Sequence, residues 1–170
     1  MRIVLQKVSR ASVTINPDKS NPETLSFNAK PESERSIGIG FVLLIGVENA
    51  DTSEDVAWTA RKIAAMRVFQ DDNDKMNLCI KDVEGSILSI SQFTLYADIR
   101  KGNRPSFVDA GEPHHAQKIW TMLNNELRDT YNIPVTTGIF GSHMNVQLVN
   151  DGPVTILIDT KMMMPLTQPK

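Results

Sequence analysis

The chain has 170 residues, of which 41% are hydrophobic and 22% are charged. This length and composition match one globular domain with a sizeable core, and two independent domains would be cramped. Eighteen Lys and Arg residues against twenty Asp and Glu residues give a net charge of −2, which excludes a bulk positive field that would attract DNA or RNA. The single cysteine, Cys79, excludes an internal disulfide and a Cys-rich zinc site and favours a reducing, cytoplasmic location.

The N-terminal part of the chain predicts strands and a loop. Residues 2–8 and 11–15 are rich in Val and Ile and predict two short strands with a break at Ser9-Arg10. Because apolar and polar residues alternate there, we expect neither a signal peptide nor a membrane span. Residues 16–36 contain spaced prolines and predict an inserted surface loop. Residues 37–47 form a Gly-rich apolar run that predicts a buried strand.

The middle of the chain predicts two helices on either side of a central strand. Residues 52–55 supply a capping signal, and apolar residues at helical spacing predict a helix that ends near Phe69. Alternation of apolar and polar residues over 84–96 predicts the central strand. Pro113 suits a first helical turn, and the apolar face that follows predicts a second helix ending near Thr130.

The C-terminal part predicts three further strands and a tail. The strands cover residues 135–139, 144–149 and 154–159, with a turn at residues 150–153. The element order is strand, strand, strand, helix, strand, helix, strand, strand, strand, without an internal repeat. It predicts an α/β fold in one domain, residues 1–160, with a curved, half-barrel-like mixed sheet and both helices on one face. Residues 161–170 are expected to form a C-terminal extension.

Common catalytic and metal-binding motifs are missing from the sequence. It has no G-x-S-x-G elbow, H-E-x-x-H pair, Walker loop or complete Rossmann glycine pattern. Residues 71–74 suggest a calcium loop, but Met76 and Asp82 stand where an EF-hand loop needs glycine and glutamate. His114-His115 point in different directions on a helix, so a shared metal is not expected. His143 at a strand start is ambiguous, and nothing in the sequence singles out a Ser-His-Asp triad. We expect no metal and no cofactor.

Three polar or charged segments are candidates for chemistry. In a strand over residues 91–95, Ser91, Phe93 and Leu95 would share one face, and Gln92 and Thr94 the other. Ordinary strand hydrogen bonding is the alternative interpretation of this segment. Residues 150–155 surround Gly152-Pro153, where a tight turn is the alternative. Residues 100–104 carry three positive charges, which predict either a solvated loop or a local phosphate contact.

The first two segments resemble the signatures S-Q-x-T-L and N-x-x-P-V-T of the D-aminoacyl-tRNA deacylase family. Residues 1–6, 75–78 and 100–107 also resemble stretches of that family, so the resemblance spans nearly the whole chain. It implies a hydrolase that cleaves the ester bond of D-aminoacyl-tRNA and releases the D-amino acid and tRNA. Glycyl-tRNA mischarged on tRNA(Ala) is a further implied substrate, because glycine has no side chain to exclude.

The resemblance also implies a homodimer whose active sites lie at the subunit interface. The Gly152-Pro153 peptide, cis in the family, would reach from one subunit into the pocket of the other, where the 3′ end of the aminoacyl-tRNA binds. The residues implied to be catalytic are Ser91, Gln92, Phe93 and Thr94. Those implied to bind substrate are Gly152, Pro153, Met144, Asn150 and Thr155, and those implied to bind tRNA are Arg100, Lys101 and Arg104. No membrane or DNA partner is implied.

A rigid Gly-Pro carbonyl placed where an L-side chain would project rejects it by steric clash. Thr94 is an obvious nucleophile, but a threonine hydroxyl needs an adjacent base, and the sequence shows none. We therefore favour N–H groups near Phe93 and Thr94 that hold the oxyanion, with the ribose 2′-hydroxyl helping to activate water or the ester.

The sequence departs from the family pattern at three places. Lys7 stands where arginine is expected and cannot reproduce a bidentate guanidinium fork. Residues 16–36 and the tail after Thr160 are longer than in compact members. Three alternatives remain open: a non-catalytic tRNA-binding module, a relaxed-chirality deacylase with a trans Gly-Pro peptide, and an esterase for small molecules.

Overall fold

A computed structural model describes residues 1–18, 22–31 and 34–165. The strands are β1 (Arg2–Ile15), β2 (Ser36–Ile37), β3 (Gly40–Gly46), β4 (Phe69–Gln70), β5 (Met76–Leu78), β6 (Ser86–Ser91), β7 (Val135–Thr137) and β8 (Met144–Asp159). The α-helices are α1 (Pro22–Ala29), α2 (Ser53–Ala65), α3 (Pro113–Asn125) and α4 (Thr160–Met163). A 3₁₀ helix covers Phe93–Tyr96, and a π-helical turn, Glu126–Thr130, continues α3.

The main sheet is mixed and is built around β1. One edge of β1 pairs antiparallel with β3 and β2, and the other pairs antiparallel with β8. On the far side of β3, β6 and then β7 add as parallel strands. The sheet curls until Gly138, just after β7, meets the Met144 side chain at the start of β8. The expected curved mixed sheet is therefore confirmed, and it is nearly closed into a barrel.

The odd-numbered residues of β1 change from one face of the curved sheet to the other because the pairing with β8 is irregular. Ile3 and Leu5 face the helices, whereas Val13 and Ile15 face the opposite core. The ladder skips Ser9, since Val8 pairs with Asn150 and Arg10 with Val149. One extra residue in a strand reverses which side chains face which core.

Helices α2 and α3 pack together on one face of the sheet, as expected. Thr52 caps α2 in a reciprocal capping box with Asp55, and Pro113 occupies the first turn of α3. The main core lies between these helices and the sheet; its fully buried members include Ile3, Leu5, Phe41, Leu43, Ile45, Ala60, Ile63, Ile87, Leu123 and Leu127. No helix in the described ranges is long and apolar enough to cross a membrane.

Several expected element boundaries are wrong. Residues 2–15 form one strand rather than two, because β8 pairs with β1 on both sides of Ser9-Arg10. Residues 16–36 contain α1, whose Phe27 is buried in the second core, so this insertion is not only a loop. The apolar run 37–47 is interrupted before β3, which begins at Gly40.

Four further expectations are corrected, one at the end of α2 and three in the second half of the chain. Helix α2 ends at Ala65 because Met66 is extended, so it stops short of Phe69. The strand expected over 84–96 ends at Ser91, where the backbone turns into the 3₁₀ helix. The expected turn at 150–153 is part of the continuous strand β8, and the expected extension from 161 begins with residues of α4. The part of that extension from 166 onward lies outside the described residues.

Candidate active site

The Ser91–Thr94 segment forms a tight bend at the carboxyl end of β6. The N–H of Gln92 donates to the carbonyl of Ile45 at 2.7 Å, which ties the bend to β3. Gly46 permits this approach, because a Cβ there would lie 3.0 Å from the Leu95 Cβ and 3.1 Å from the Gln92 carbonyl oxygen. The following 3₁₀ helix begins at Phe93, and first-turn N–H groups have no acceptor within a helix. The N–H groups of Phe93 and Thr94 occupy that first turn.

The expectation that Gln92 and Thr94 lie on one strand face, and Ser91 and Phe93 on the other, is wrong. The chain is a 3₁₀ helix from Phe93 onward and not a strand. The Gln92 side-chain amide donates to the Thr94 hydroxyl oxygen. All four residues line the same cavity. In the described part of the chain, the Thr94 hydroxyl is hydrogen-bonded to an amide and not to a carboxylate or imidazole base.

The cavity has a volume of about 720 Å³ and lies between the end of β6, the start of α3 and the chain before and within β8. Such a volume is in the usual range for small-molecule sites. Its lining is mainly apolar: Ile45, Val47, Ile90, Ala110, Pro113, Ala116, Trp120, Phe140, Met144 and Val146. The polar contribution comes from the Ser91–Thr94 bend and from Ser142 and His143. The structure thus brings one predicted substrate-binding residue, Met144, to the four predicted catalytic residues.

Two aromatic side chains form one wall of the cavity. The Trp120 indole N–H donates to the buried Ser89 hydroxyl at 3.0 Å, and the Phe140 ring lies 5.9 Å from the Trp120 ring. Met144 packs on the backbone of Gly138, where a Cβ would stand 2.3 Å from its sulfur. No motif in the sequence predicts this wall. The glycines at 138 and 141 around Phe140 are its one visible sequence signal.

Gly152 and Pro153 lie in a wide bulge of β8. Gln6 pairs with Thr155 and Val8 with Asn150, so residues 151–154 all oppose Lys7. The Gly152-Pro153 peptide is cis, and Gly152 has a φ of +124°, which disfavours any side chain. The bulge is exposed at residues 150–153. None of Asn150, Gly152, Pro153 and Thr155 lines the cavity of its own chain, so the structure does not bring them to the Ser91–Thr94 bend within one chain.

Lys7 anchors this bulge. Its side chain is only 5% exposed, and its ammonium lies 3.0 Å from the Asp151 carboxylate and 5.6 Å from the centre of the Phe69 ring. A buried ammonium needs such a partner, because burial without one is costly. Lysine therefore holds the bulge through a single ion pair where a guanidinium would offer a fork.

The cationic segment lies beside the cavity rather than in it. Backbone pairing of Asp98 with Ser106 closes the segment, and Phe107 contacts the cavity-lining Phe93 edge to face at 5.0 Å between ring centres. Arg100 makes a two-point contact with the Asp98 carboxylate at 2.9 and 2.7 Å. Hydrogen bonds from Arg100 lower the pKa of Asp98 to about 2. None of Arg100, Lys101 and Arg104 lines the cavity.

The residues considered for metal binding, Asp71 and the three histidines, lie in separate places. The Asp71 carboxylate accepts hydrogen bonds from the Asn77 side-chain amide and from the N–H groups of Lys75 and Asn73, which lower its pKa and fix a turn. At the start of α3, Glu112 accepts from the N–H groups of His114 and His115. The imidazole-bearing residue that lines the cavity is His143.

Comparisons with known proteins place the chain among aminoacyl-tRNA deacylases. The sequence model of a family described as D-Tyr-tRNA(Tyr) deacylase matches residues 4–159. A D-aminoacyl-tRNA deacylase of Bifidobacterium adolescentis is 55% identical over 160 residues, which covers 94% of this chain and 97% of that protein. One from Bifidobacterium longum is 51% identical over 165 residues, covering 97% and 98%.

Solved structures share the fold of this chain. A c-Myc DNA unwinding element binding protein superposes with a TM-score of 0.77 at 34% identity, over 94% of this chain and 98% of that one. A probable eukaryotic D-amino acid tRNA deacylase shares the fold, with a TM-score of 0.75 at 14% identity, over 92% and 97%. The chain belongs to the D-aminoacyl-tRNA deacylase family. It is accordingly a hydrolase with D-aminoacyl-tRNA deacylase activity.

Proposed function

We propose that the cavity beside β6 binds the aminoacylated 3′ end of tRNA and that Ser91, Gln92, Phe93 and Thr94 surround the scissile ester. The main support for this proposal is the geometry of the Ser91–Thr94 bend. Four consecutive residues line one cavity, and two of them present N–H groups without helical acceptors. Donors fixed in this way stabilise the negative charge that develops on a carbonyl oxygen during ester hydrolysis.

The proposed mechanism assigns no nucleophilic role to Thr94. Its hydroxyl is paired with the Gln92 amide, which cannot remove a proton as a base does. Instead, water attacks the ester carbonyl while the N–H groups of Phe93 and Thr94 hold the oxyanion. The ribose 2′-hydroxyl of the terminal nucleotide assists the proton transfers, and the 3′-oxygen leaves with a proton. An aminoacyl ester is labile enough for positioning and oxyanion stabilisation to suffice.

The working form in this proposal is a homodimer with cross-subunit sites. The bulge with Gly152 and Pro153 is exposed and lies outside the cavity of its own chain, which suits insertion into a second copy. Val149 and Leu157, on either side of the bulge along β8, are 42% and 65% exposed. Burying such apolar side chains against a second copy stabilises association. Asn150 and Thr155 flank the bulge and shape it.

Chirality is then decided by the main chain. The Gly152 carbonyl of one subunit occupies the space into which an L-side chain would project, and it leaves the D-side chain free. Met144 contributes an apolar surface to the same cavity. Glycine lacks the excluded side chain, so glycyl-tRNA mischarged on tRNA(Ala) is also hydrolysed. Because its proposed substrates are aminoacylated tRNAs, we propose that the enzyme works in the cytoplasm.

The tRNA backbone is contacted by the cationic segment. Because Arg100 is already paired with Asp98, Lys101 and Arg104 are the stronger phosphate contacts in this proposal. Phe107 links the segment to Phe93 and so to the cavity. These local charges compensate for a net charge of −2.

Matched D- and L-tyrosyl-tRNA provide the test. The purified protein, with a chelator present, is expected to release D-tyrosine at least 100-fold faster than L-tyrosine. Free tyrosine esters, offered at the same concentration, are expected to remain uncleaved, which separates this function from a small-molecule esterase. Equal rates on both tRNAs would indicate relaxed chirality, and tRNA binding without cleavage would indicate a non-catalytic module.

A further inference from the structure

The inserted segment after β1 completes an edge of the main sheet. β3 pairs with β1 only as far as Val8, although β1 continues to Ile15. Beyond that point β2 pairs with Ala11, and the carbonyl of Arg35 accepts from the N–H of Val13 at 2.9 Å. The Arg35 guanidinium also donates to the Val13 carbonyl at 3.4 Å. Ala11 and Val13, every second residue on this edge of β1, are therefore both paired.

Asn28 of α1 takes the last position on that edge. Its side-chain oxygen accepts from the N–H of Ile15 at 2.9 Å, and its side-chain nitrogen donates to the carbonyl of Ile15 at 2.5 Å. A primary amide that accepts and donates in this way reproduces the pattern of a neighbouring strand. Phe27, the preceding residue, is buried in the core below Val13 and Ile15 and fixes α1 in place.

The opposite edge of the same part of β1 holds a wall of the cavity. Ile15 pairs with Met144, and the N–H of Asn16 donates to the His143 carbonyl at 2.8 Å. The Asn145 side chain donates to that of Asn16 at 2.7 Å. Since His143 and Met144 both line the cavity, the end of β1 connects α1 to the proposed substrate site.

We propose that Asn28 is a positioning residue for the His143–Met144 wall of the cavity. By fixing the end of β1 from one edge, it sets where β8 begins on the other, and with it the side of the pocket that Met144 forms. The inserted segment therefore acts on substrate binding without touching substrate. This inference rests on the proposed function, because it takes the cavity to be the place where the aminoacyl end binds.

Steady-state kinetics on D-tyrosyl-tRNA test the effect of Asn28 on binding. In Asn28→Ala, we expect KM to rise about five- to tenfold and kcat to change less than twofold, since displaced walls weaken positioning while the oxyanion donors stay. Asn28→Asp keeps the shape but sets a carboxylate oxygen against the Ile15 carbonyl, so it should behave like the alanine variant. Ser26→Ala is the matched control, because this hydroxyl on the same helix donates to the Glu23 carbonyl within α1 and, among the described residues, not to β1.

A second readout reports the wall directly and does not depend on activity. With ¹³C-methyl-labelled methionine, the Met144 signal, assigned from Met144→Leu, should shift in both Asn28 variants and not in Ser26→Ala. The Met1 signal, from the other core, should stay in place. Three outcomes would each overturn the proposal: a Met144 signal that does not shift in the Asn28 variants, a wild-type KM for Asn28→Asp, or loss of folding in both variants. If the wild-type protein fails to cleave D-tyrosyl-tRNA while the Met144 signal moves, the proposed function fails and the structural coupling stands.

Discussion

Lys7 and Asp151 form an ion pair of 3.0 Å across the bulge of β8 that carries Gly152 and Pro153. The lysine side chain is 5% exposed and the aspartate side chain 53% exposed, so the aspartate supplies the charge that makes burial of the lysine tolerable. This pair joins the core of the chain to the segment that we propose selects the D-enantiomer.

Replacing Asp151 by alanine should weaken both stability and chiral selection. The buried Lys7 ammonium then loses its partner, which costs about 1–3 kcal/mol in the free energy of unfolding. Because the bulge is no longer anchored, the ratio of D- to L-tyrosyl-tRNA hydrolysis should fall at least tenfold. Denaturant unfolding and paired deacylation assays measure the two effects. Asp72→Ala, a change at another exposed acid outside the bulge, serves as the control, and an unchanged D/L ratio in Asp151→Ala would argue against anchoring.

Thr94→Ala should retain most of the activity. We expect kcat on D-tyrosyl-tRNA to fall less than fivefold, because the proposed oxyanion donors are backbone N–H groups that alanine keeps. A substrate whose terminal ribose lacks the 2′-hydroxyl should instead react about 100-fold or more slowly, the usual scale for loss of a proton-transfer group. Single-turnover rates on both substrates make the comparison. An inactive alanine variant together with a reactive deoxy substrate would restore Thr94 as the nucleophile.

The elements that the sequence predicted well carry local signals. Helices α2 and α3 have a cap or a first-turn proline, followed by apolar residues at helical spacing that are buried as expected. The end of β6 was missed because Phe93 and Leu95 continue the alternation of a strand, whereas the bond from Gln92 to Ile45 turns the backbone. Alternation alone cannot show such a tertiary contact.

Two other differences also come from distant contacts. Residues 150–153 have the composition of a turn, yet pairing with β1 on both sides keeps them within β8. Helix α1 has little amphipathic character, and the contacts of Phe27 and Asn28 with β1 hold it in place. That residues 91–94 lie together could be predicted because they are consecutive, and they line one cavity. The wall of Trp120 and Phe140 could not, because those residues meet only in the folded chain.

Lys101 and Arg104 should contribute to tRNA affinity more than Arg100 does. The double variant Lys101→Ala/Arg104→Ala should weaken binding and make the slope of log K against log[salt] shallower by up to about 2. Each phosphate contact contributes about 0.9 to this slope on B-DNA and about 0.7 on a single strand. Arg100→Ala is the matched control and should change the slope by less than half as much. Fluorescence anisotropy over a salt series measures both. A larger effect from Arg100→Ala would mean that Arg100 leaves Asp98 when tRNA binds.

The effect of Arg100→Ala on tRNA binding should be independent of pH near neutrality, because the Asp98–Arg100 pair titrates only in acid. The pKa of Asp98 is lowered to about 2 from 3.8, so the carboxylate form is favoured in the folded chain. The pair is therefore complete above pH 3.8 and is lost as the pH falls through about 2. Between pH 5 and 8 the behaviour of Arg100→Ala relative to wild type should not change with pH, which the same anisotropy assay at both ends of the range checks.

Gly138→Ala should impair substrate binding through Met144. A Cβ at residue 138 would stand 2.3 Å from the Met144 sulfur, so that flexible side chain must move, and it lies on the wall of the cavity. We expect KM for D-tyrosyl-tRNA to rise several-fold. Gly38→Ala is the control, because a Cβ there meets nothing within 4 Å. Removing the displaced side chain in Gly138→Ala/Met144→Ala should return KM to that of Met144→Ala alone, since the two changes act on one contact. Simple additivity of the two effects would show that Gly138 acts on the site by another route.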